Sequence, residues 1–178
     1  MTKRNNIIWK VIKTVCWVIF FLYCMKTLDL IVSYSYSLYN PADAKDLYNG
    51  LDLSQLYFSN KLHYSLTVLV IIIISALKAL VFYFATTLFK ILNFVKPFSR
   101  DISRIITKIT YYTFAIGIVS GIVEIFVNRL SANGYNFSPI ESLWGDGDAY
   151  LFMSAILFVI ALIFKKGIEL QSENELTV

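Results

Sequence analysis

The stretch that decides the fold is Leu62–Phe89, LHYSLTVLVIIIISALKALVFYFATTLF. Lys78 is its one formal charge, and Lys61 and Lys90 stand at its two ends. A helix of ~20 apolar residues crosses a hydrocarbon core of about 30 Å, so this run has length to spare. Three more apolar runs flank it, at roughly 11–32, 109–127 and 150–164. The first two approach or exceed the required length, and the last falls somewhat short. The pattern predicts an all-α, polytopic membrane protein: four transmembrane helices forming one bundle over residues 1–178, with no soluble domain.

Composition agrees. Apolar residues make up 57% of the chain and charged residues 16%, where a soluble domain carries nearer ~25% charged. The net charge of +4 does not indicate a nucleic-acid partner, because the basic residues cluster beside the apolar runs, where orientation signals belong. Cys16 and Cys24 both lie in the first run. Eight residues on a helix rise about 12 Å, too far for a bridge within the chain. They read as small buried apolar residues, the alternative being a bridge to a second copy in a homo-oligomer. Lys3 and Arg4 before an apolar stretch resemble a secretion signal, but Lys10 and Lys13 interrupt its start and no small-residue cleavage site follows. The expectation is an uncleaved first membrane helix.

Charge sets the expected topology. The N-terminus, the segment between the second and third runs, and the C-terminal tail hold Lys3, Arg4, Lys10, Lys13, Lys90, Lys96, Arg100, Arg104, Lys108, Lys165 and Lys166. The other side holds Lys45, Lys61 and Arg129. Basic residues stay cytoplasmic, which places both termini inside. In the long first outer loop, Asn40-Pro41 is a cap and first-turn proline, and Leu47, Tyr48 and Leu51 recur at helical spacing, with Gly50 as a weak point. This predicts a short surface helix. Asp146-Gly147-Asp148 is a good entrance to the fourth helix, with negative charge at its N-terminal dipole. On the inner side, Lys96-Pro97-Phe98 is a turn and Ser99 can cap the third helix, with Asp101 in its first turn. Ile102, Ile105, Ile106 and Ile109 share one face of that helix, and Arg100, Arg104 and Lys108 share another. The third helix is therefore expected to begin as an amphipathic stretch in the cytoplasmic interface.

Two of these elements carry a resemblance. Lys96-Pro97-Phe98-Ser99 enters an amphipathic helix, and the chain closes on Gly167-Ile168-Glu169-Leu170-Gln171-Ser172-Glu173-Asn174-Glu175-Leu176-Thr177-Val178. With four apolar runs, this resembles the bacterial membrane proteins grouped as domain of unknown function 2975. The resemblance covers the whole chain and rests chiefly on the C-terminal pattern. It implies a multi-pass protein of the bacterial inner membrane. It also implies a regulatory pairing with a small helix-turn-helix protein, since such a gene often neighbours those of the family. It implies no known activity and carries over no functional residues.

Four ionisable residues fall inside the apolar runs: Lys26, Asp29, Lys78 and Glu124. Each costs roughly 2.5–3.5 kcal/mol at mid-bilayer and needs a partner or an escape route. Lys26 and Asp29 are spaced to pair on one helix. Glu124 shares a face with Gly117 and Gly121, a small-residue pair that suits a close helix contact, so a Lys26–Glu124 contact is the expected inter-helix pair. Lys78 has no acid nearby on its own helix, and either snorkels or points into the bundle. These residues either fix helix register or line a polar path for an ion or solute.

The stripe Arg100, Arg104 and Lys108 faces either anionic headgroups or Glu169 and Glu173 of a docked tail. His63 is the only histidine, and one histidine cannot build a multi-ligand metal site. No cofactor is expected, and no phosphate loop or nucleophile motif appears. The 12 Tyr and 14 Phe read as interfacial anchors. Function is expected to be non-catalytic and exercised through protein partners, a cytoplasmic regulator among them. The alternative is a small transporter or channel subunit using the intramembrane charges.

Overall fold

The computed structural model describes residues 3–47, 52–92, 98–132 and 144–176. Five α-helices cover most of them: α1 (Lys3–Tyr39), α2 (Ser54–Ser59), α3 (Lys61–Ile91), α4 (Arg100–Ser131) and α5 (Gly147–Leu176), with a 3-10 helix at Pro41–Lys45. Among the described residues there is no strand. All but α2 are long and apolar enough to cross a membrane. Lipid offers the backbone no hydrogen-bond partner, so each crossing must satisfy its own N–H and C=O groups, and a helix does so within one segment. Four crossings return the chain to the side where it began. That face is here the terminal side, and the opposite one the loop side.

The helix starts follow the sequence closely. Ser99 Oγ accepts from the Ile102 amide at 3.3 Å, with Asp101 in the first turn of α4. Asn60 Oδ1 accepts from the amides of Leu62 and His63 at 3.0 and 3.2 Å and so caps α3. Gly147 opens α5, with Asp148 in its first turn.

The loop between α1 and α3 departs from expectation. Pro41 begins a 3-10 helix, not an α-helix, and the short α-helix lies later, at Ser54–Ser59. Leu47 is buried, whereas Tyr48, Gly50 and Leu51 lie outside the described residues. Asp52 supplies the order that spacing missed: it accepts from Ser54 N at 2.9 Å and Ser54 Oγ at 2.6 Å. These two bonds hold its carboxyl below the usual carboxylate range. The Lys96-Pro97 turn also lies outside the described residues.

The long helices pack in chain order: α1 on α3, α3 on α4, and α4 on α5, with no other pair of them packing extensively among the described residues. Between α1 and α3, Trp9 meets Phe89 edge-on at 4.8 Å, Tyr23 stacks on Phe82 at 5.9 Å, and Thr27 Oγ1 donates to Ser75 Oγ at 2.9 Å. Between α3 and α4, Phe84 stacks on Tyr112 at 5.4 Å and His63 meets Phe126 at 5.7 Å. Lipid tails are as apolar as leucine, so such packing and small-residue approach hold membrane helices together.

The α4–α5 contact fixes the shape of the molecule. Gly117 lies against Leu151, Gly147 against Ser120, and Gly167 under the Phe98 ring. In this register α5 begins level with Ser120, about 16 Å below the end of α4 by helical rise. The other three long helices therefore rise past α5 on the loop side. They share a core there with the loop between α1 and α3: Leu30, Ala44, Leu47, Leu53, Leu56, Tyr57, Tyr64, Val68 and Trp144 are all buried. Tyr64 donates its hydroxyl proton to Ser37 Oγ at 2.5 Å within that core. Tyr64→Phe removes a buried donor and is expected to cost about 1 kcal/mol, read as a lower melting temperature in detergent. An unchanged melting temperature rules out a stabilising role for this bond.

Candidate functional site

Lys78 lies near the middle of α3, about 18 Å along the helix from Lys90 by helical rise. That is beyond the reach of its own side chain on the terminal side, so a partner must come from the loop side. The structure supplies one from the loop before α5: Lys78 Nζ stands 3.4 Å from Asp146 Oδ2. The pair is unequal, with side-chain exposure of 7% for the lysine and 59% for the aspartate. The ammonium also lies over the Tyr150 ring, 5.1 Å from its centroid, as a cation–π contact. Tyr23 and Tyr150 are both within electrostatic reach of Asp146, and Lys26 is within reach of Lys78. Ser75, one turn from Lys78, carries the Thr27 hydrogen bond. A polar layer from α1, α3 and α5 thus crosses the molecule at one level. Asp146 is 19 positions from Lys165, about 28 Å of rise, which puts this layer near the loop-side edge of a ~30 Å hydrocarbon core.

The sequence anticipated a Lys26–Glu124 contact, and the structure corrects it. Helix α1 packs on α3, not on α4. Glu124 and Asp29 are exposed, and neither forms an ion pair among the described residues. The Lys26–Asp29 pair is therefore corrected as well. The reason lies in the register of α5. Of the two glycines expected at a close contact, Gly117 is at one, but a Cβ on Gly121 would meet nothing within 4 Å. Helix α5 has ended by that level, so Glu124, one turn further on, has no helix against it. From Arg100 to Glu124 α4 rises about 36 Å, which brings the carboxylate to the far edge of the hydrocarbon and removes its desolvation cost.

The tail is also held differently from expectation. Arg104 pairs with Asp101 at 3.5 Å and Glu169 with Lys166 at 3.0 Å, each within one turn of its own helix. Lys108 Nζ lies 5.2 Å from the centroid of the Phe84 ring. Arg100 and Glu173 are exposed. Among the described residues, an aromatic joint and not a row of ion pairs fastens α5 to the start of α4. Phe98 meets Phe164 edge-on at 5.4 Å, and a Cβ on Gly167 would stand 2.5 Å from the Phe98 ring. Ile102, Ile106 and Ala161 bury beside this joint. Glycine at 167 is what lets the ring lie on the helix backbone.

Two hollows accompany these groups. One, of about 460 Å³, runs between α3 and α5 over Ile109 of α4. Its walls are Val81, Phe82, Ala85, Ala149, Met153 and Leu157, and Lys78, Asp146 and Tyr150 also line it. The other, of about 530 Å³, lies on the terminal side, with Arg104, Lys108, Ser103 and Thr107 among its lining residues. Cys16 and Cys24 are free thiols, half-buried on α1.

Neither a curated protein nor a solved structure matches the chain. A family profile described as "Protein of unknown function (DUF2975)" matches residues 14–178. That span takes in the polar layer, the Phe98–Gly167 joint and the C-terminal pattern. This chain belongs to the DUF2975 family.

Proposed function

We propose that this chain is a non-catalytic protein of the bacterial inner membrane, with both termini cytoplasmic, that acts through a cytoplasmic protein partner. The observation that carries this reading is the end of α5. The helix runs unbroken from Gly147 to Leu176, well past the Phe98–Gly167 joint. Beyond the joint, Glu169, Leu170 and Glu173 are all exposed, and Leu170 is 51% exposed among polar neighbours. An apolar side chain between two acids, on a helix held rigidly at its root, suits a small basic partner that buries an apolar residue. A helix-turn-helix regulator is the partner class that the family resemblance implies.

The test is affinity purification of the tagged protein from native membranes, with mass spectrometry of what accompanies it. A small helix-turn-helix protein is expected with the wild type and is expected to be lost, tenfold or more, with Leu170→Asp. Retention of that protein by Leu170→Asp rules out the tail as the docking element. A transport role is the second reading, favoured by the Lys78–Asp146 pair near the loop-side edge of the hydrocarbon. Solute flux in liposomes containing only this protein would decide for it.

A further inference from the structure

We infer that the groove between α3 and α5 is a binding site for an anionic phospholipid of the loop-side leaflet. One acyl chain lies along the apolar walls, and the phosphate takes the place of Asp146 on Lys78. This goes beyond the partner reading and does not depend on it.

Shape and lining come first. At about 460 Å³, the groove falls within the ~300–1,000 Å³ range of sites for small molecules, which are mostly apolar with a few placed polar groups. Val81, Phe82, Ala85, Met153 and Leu157 give it an uninterrupted hydrocarbon surface. From Asp146 to Leu157 it follows α5 for about 16 Å by helical rise, the direction in which a lipid tail points inward from its headgroup. The polar end lies near the edge of the hydrocarbon, at headgroup level on the loop side.

The choice of an anion follows from the unequal exposure of the pair. Lys78 is 7% exposed and must always have a counter-charge, because an uncompensated buried charge is strongly destabilising. Asp146 is 59% exposed and can swing into water or headgroups at small cost. An anionic head can therefore replace Asp146 without stranding either charge. A cationic head that captured Asp146 would leave the buried ammonium alone. Lys26, within electrostatic reach of Lys78, adds a second positive charge at the same end. The Tyr150 ring lies over the ammonium as a cation–π contact that does not depend on which anion pairs with it.

Native mass spectrometry of the full chain in neutral detergent tests this, with phosphatidylglycerol, phosphatidylcholine and oleate titrated separately. Wild type is expected to hold one phosphatidylglycerol about tenfold more tightly than phosphatidylcholine, the gap set by one charge at the head. Asp146→Asn removes the internal competitor and is expected to tighten phosphatidylglycerol further, several-fold. Lys78→Met is expected to erase the preference, and Met153→Trp, which fills the groove, is expected to weaken all binding there while leaving Lys78 in place. Equal retention of both phospholipids by wild type overturns the proposal. So does weaker phosphatidylglycerol binding in Asp146→Asn, which would mean that the carboxylate builds the site. Binding of oleate alone overturns the phospholipid as occupant. Should Lys78→Met fail to fold, the Asp146→Asn and Met153→Trp arms still decide the matter.

Discussion

Asp146→Asn is expected to destabilise the protein far more than Lys78→Met, although the two substitutions break the same 3.4 Å ion pair. In the first variant a buried ammonium loses its counter-charge, and the expected loss is about 2–3 kcal/mol, toward the lower end for a broken buried pair because Asp146 is largely exposed. In the second, the remaining carboxylate rehydrates where it stands and the methionine fits an apolar wall, so the loss is expected to stay below about 1 kcal/mol. Lys78→Met with Asp146→Asn should then be about as stable as Lys78→Met alone. Thermal unfolding in a neutral detergent free of anionic lipid measures all three. Equal losses from the two single variants, or a double variant that loses their sum, would show that the residues act independently.

Gly117 and Gly121 are expected to respond with opposite signs, although they are one turn apart on α4. A Cβ at Gly117 would lie 2.6 Å from Leu151 Cγ and 3.0 Å from Leu151 N, and the backbone atom cannot move aside as a side-chain tip can. Gly117→Val is therefore expected to cost about 3 kcal/mol by overpacking and to push α5 away from α4. At Gly121 a Cβ meets nothing within 4 Å. Gly121→Ala is expected to add about 0.5 kcal/mol, since alanine loses less backbone entropy in a helix. Melting temperatures of the two variants settle it. A loss at both positions would mean that α5 extends further along α4 than Gly147.

The same two glycines show what could be read from the sequence. Local features were legible because their causes are local. Ser99 caps α4 from a distance of three residues, and Ile102, Ile106 and Ile109 bury together because helical spacing puts them on one face. The four crossings follow from apolar length alone. The site was not legible in this way. Lys78 and Asp146 are far apart in the chain, and Asp146 has a sufficient local reading as a helix-entrance acid, so nothing in the string asks for a second role. Glu124 misled for a related reason: helical periodicity put it on the face of Gly117, but where the neighbouring helix ends is a tertiary fact. The tail erred in the same direction. Charges at helical spacing suggested ion pairs between helices, whereas Arg104 and Glu169 found partners one turn away and a phenylalanine on a glycine made the joint.

The chain-order packing bears on how the protein is made. A ribosome delivers α1 first and α5 last, and each long helix packs chiefly on the one delivered just before it. Each crossing waits only for the next one to be synthesised, and no early helix must be held apart for a late one to enter. Contacts between neighbours in sequence close quickly, because little chain has to be gathered in. The exception is the small stretch around Asp146. Until it leaves the ribosome, Lys78 has been inserted without its counter-charge, so the half-made protein carries a bare ammonium in the membrane and relies on lipid or water to tolerate it.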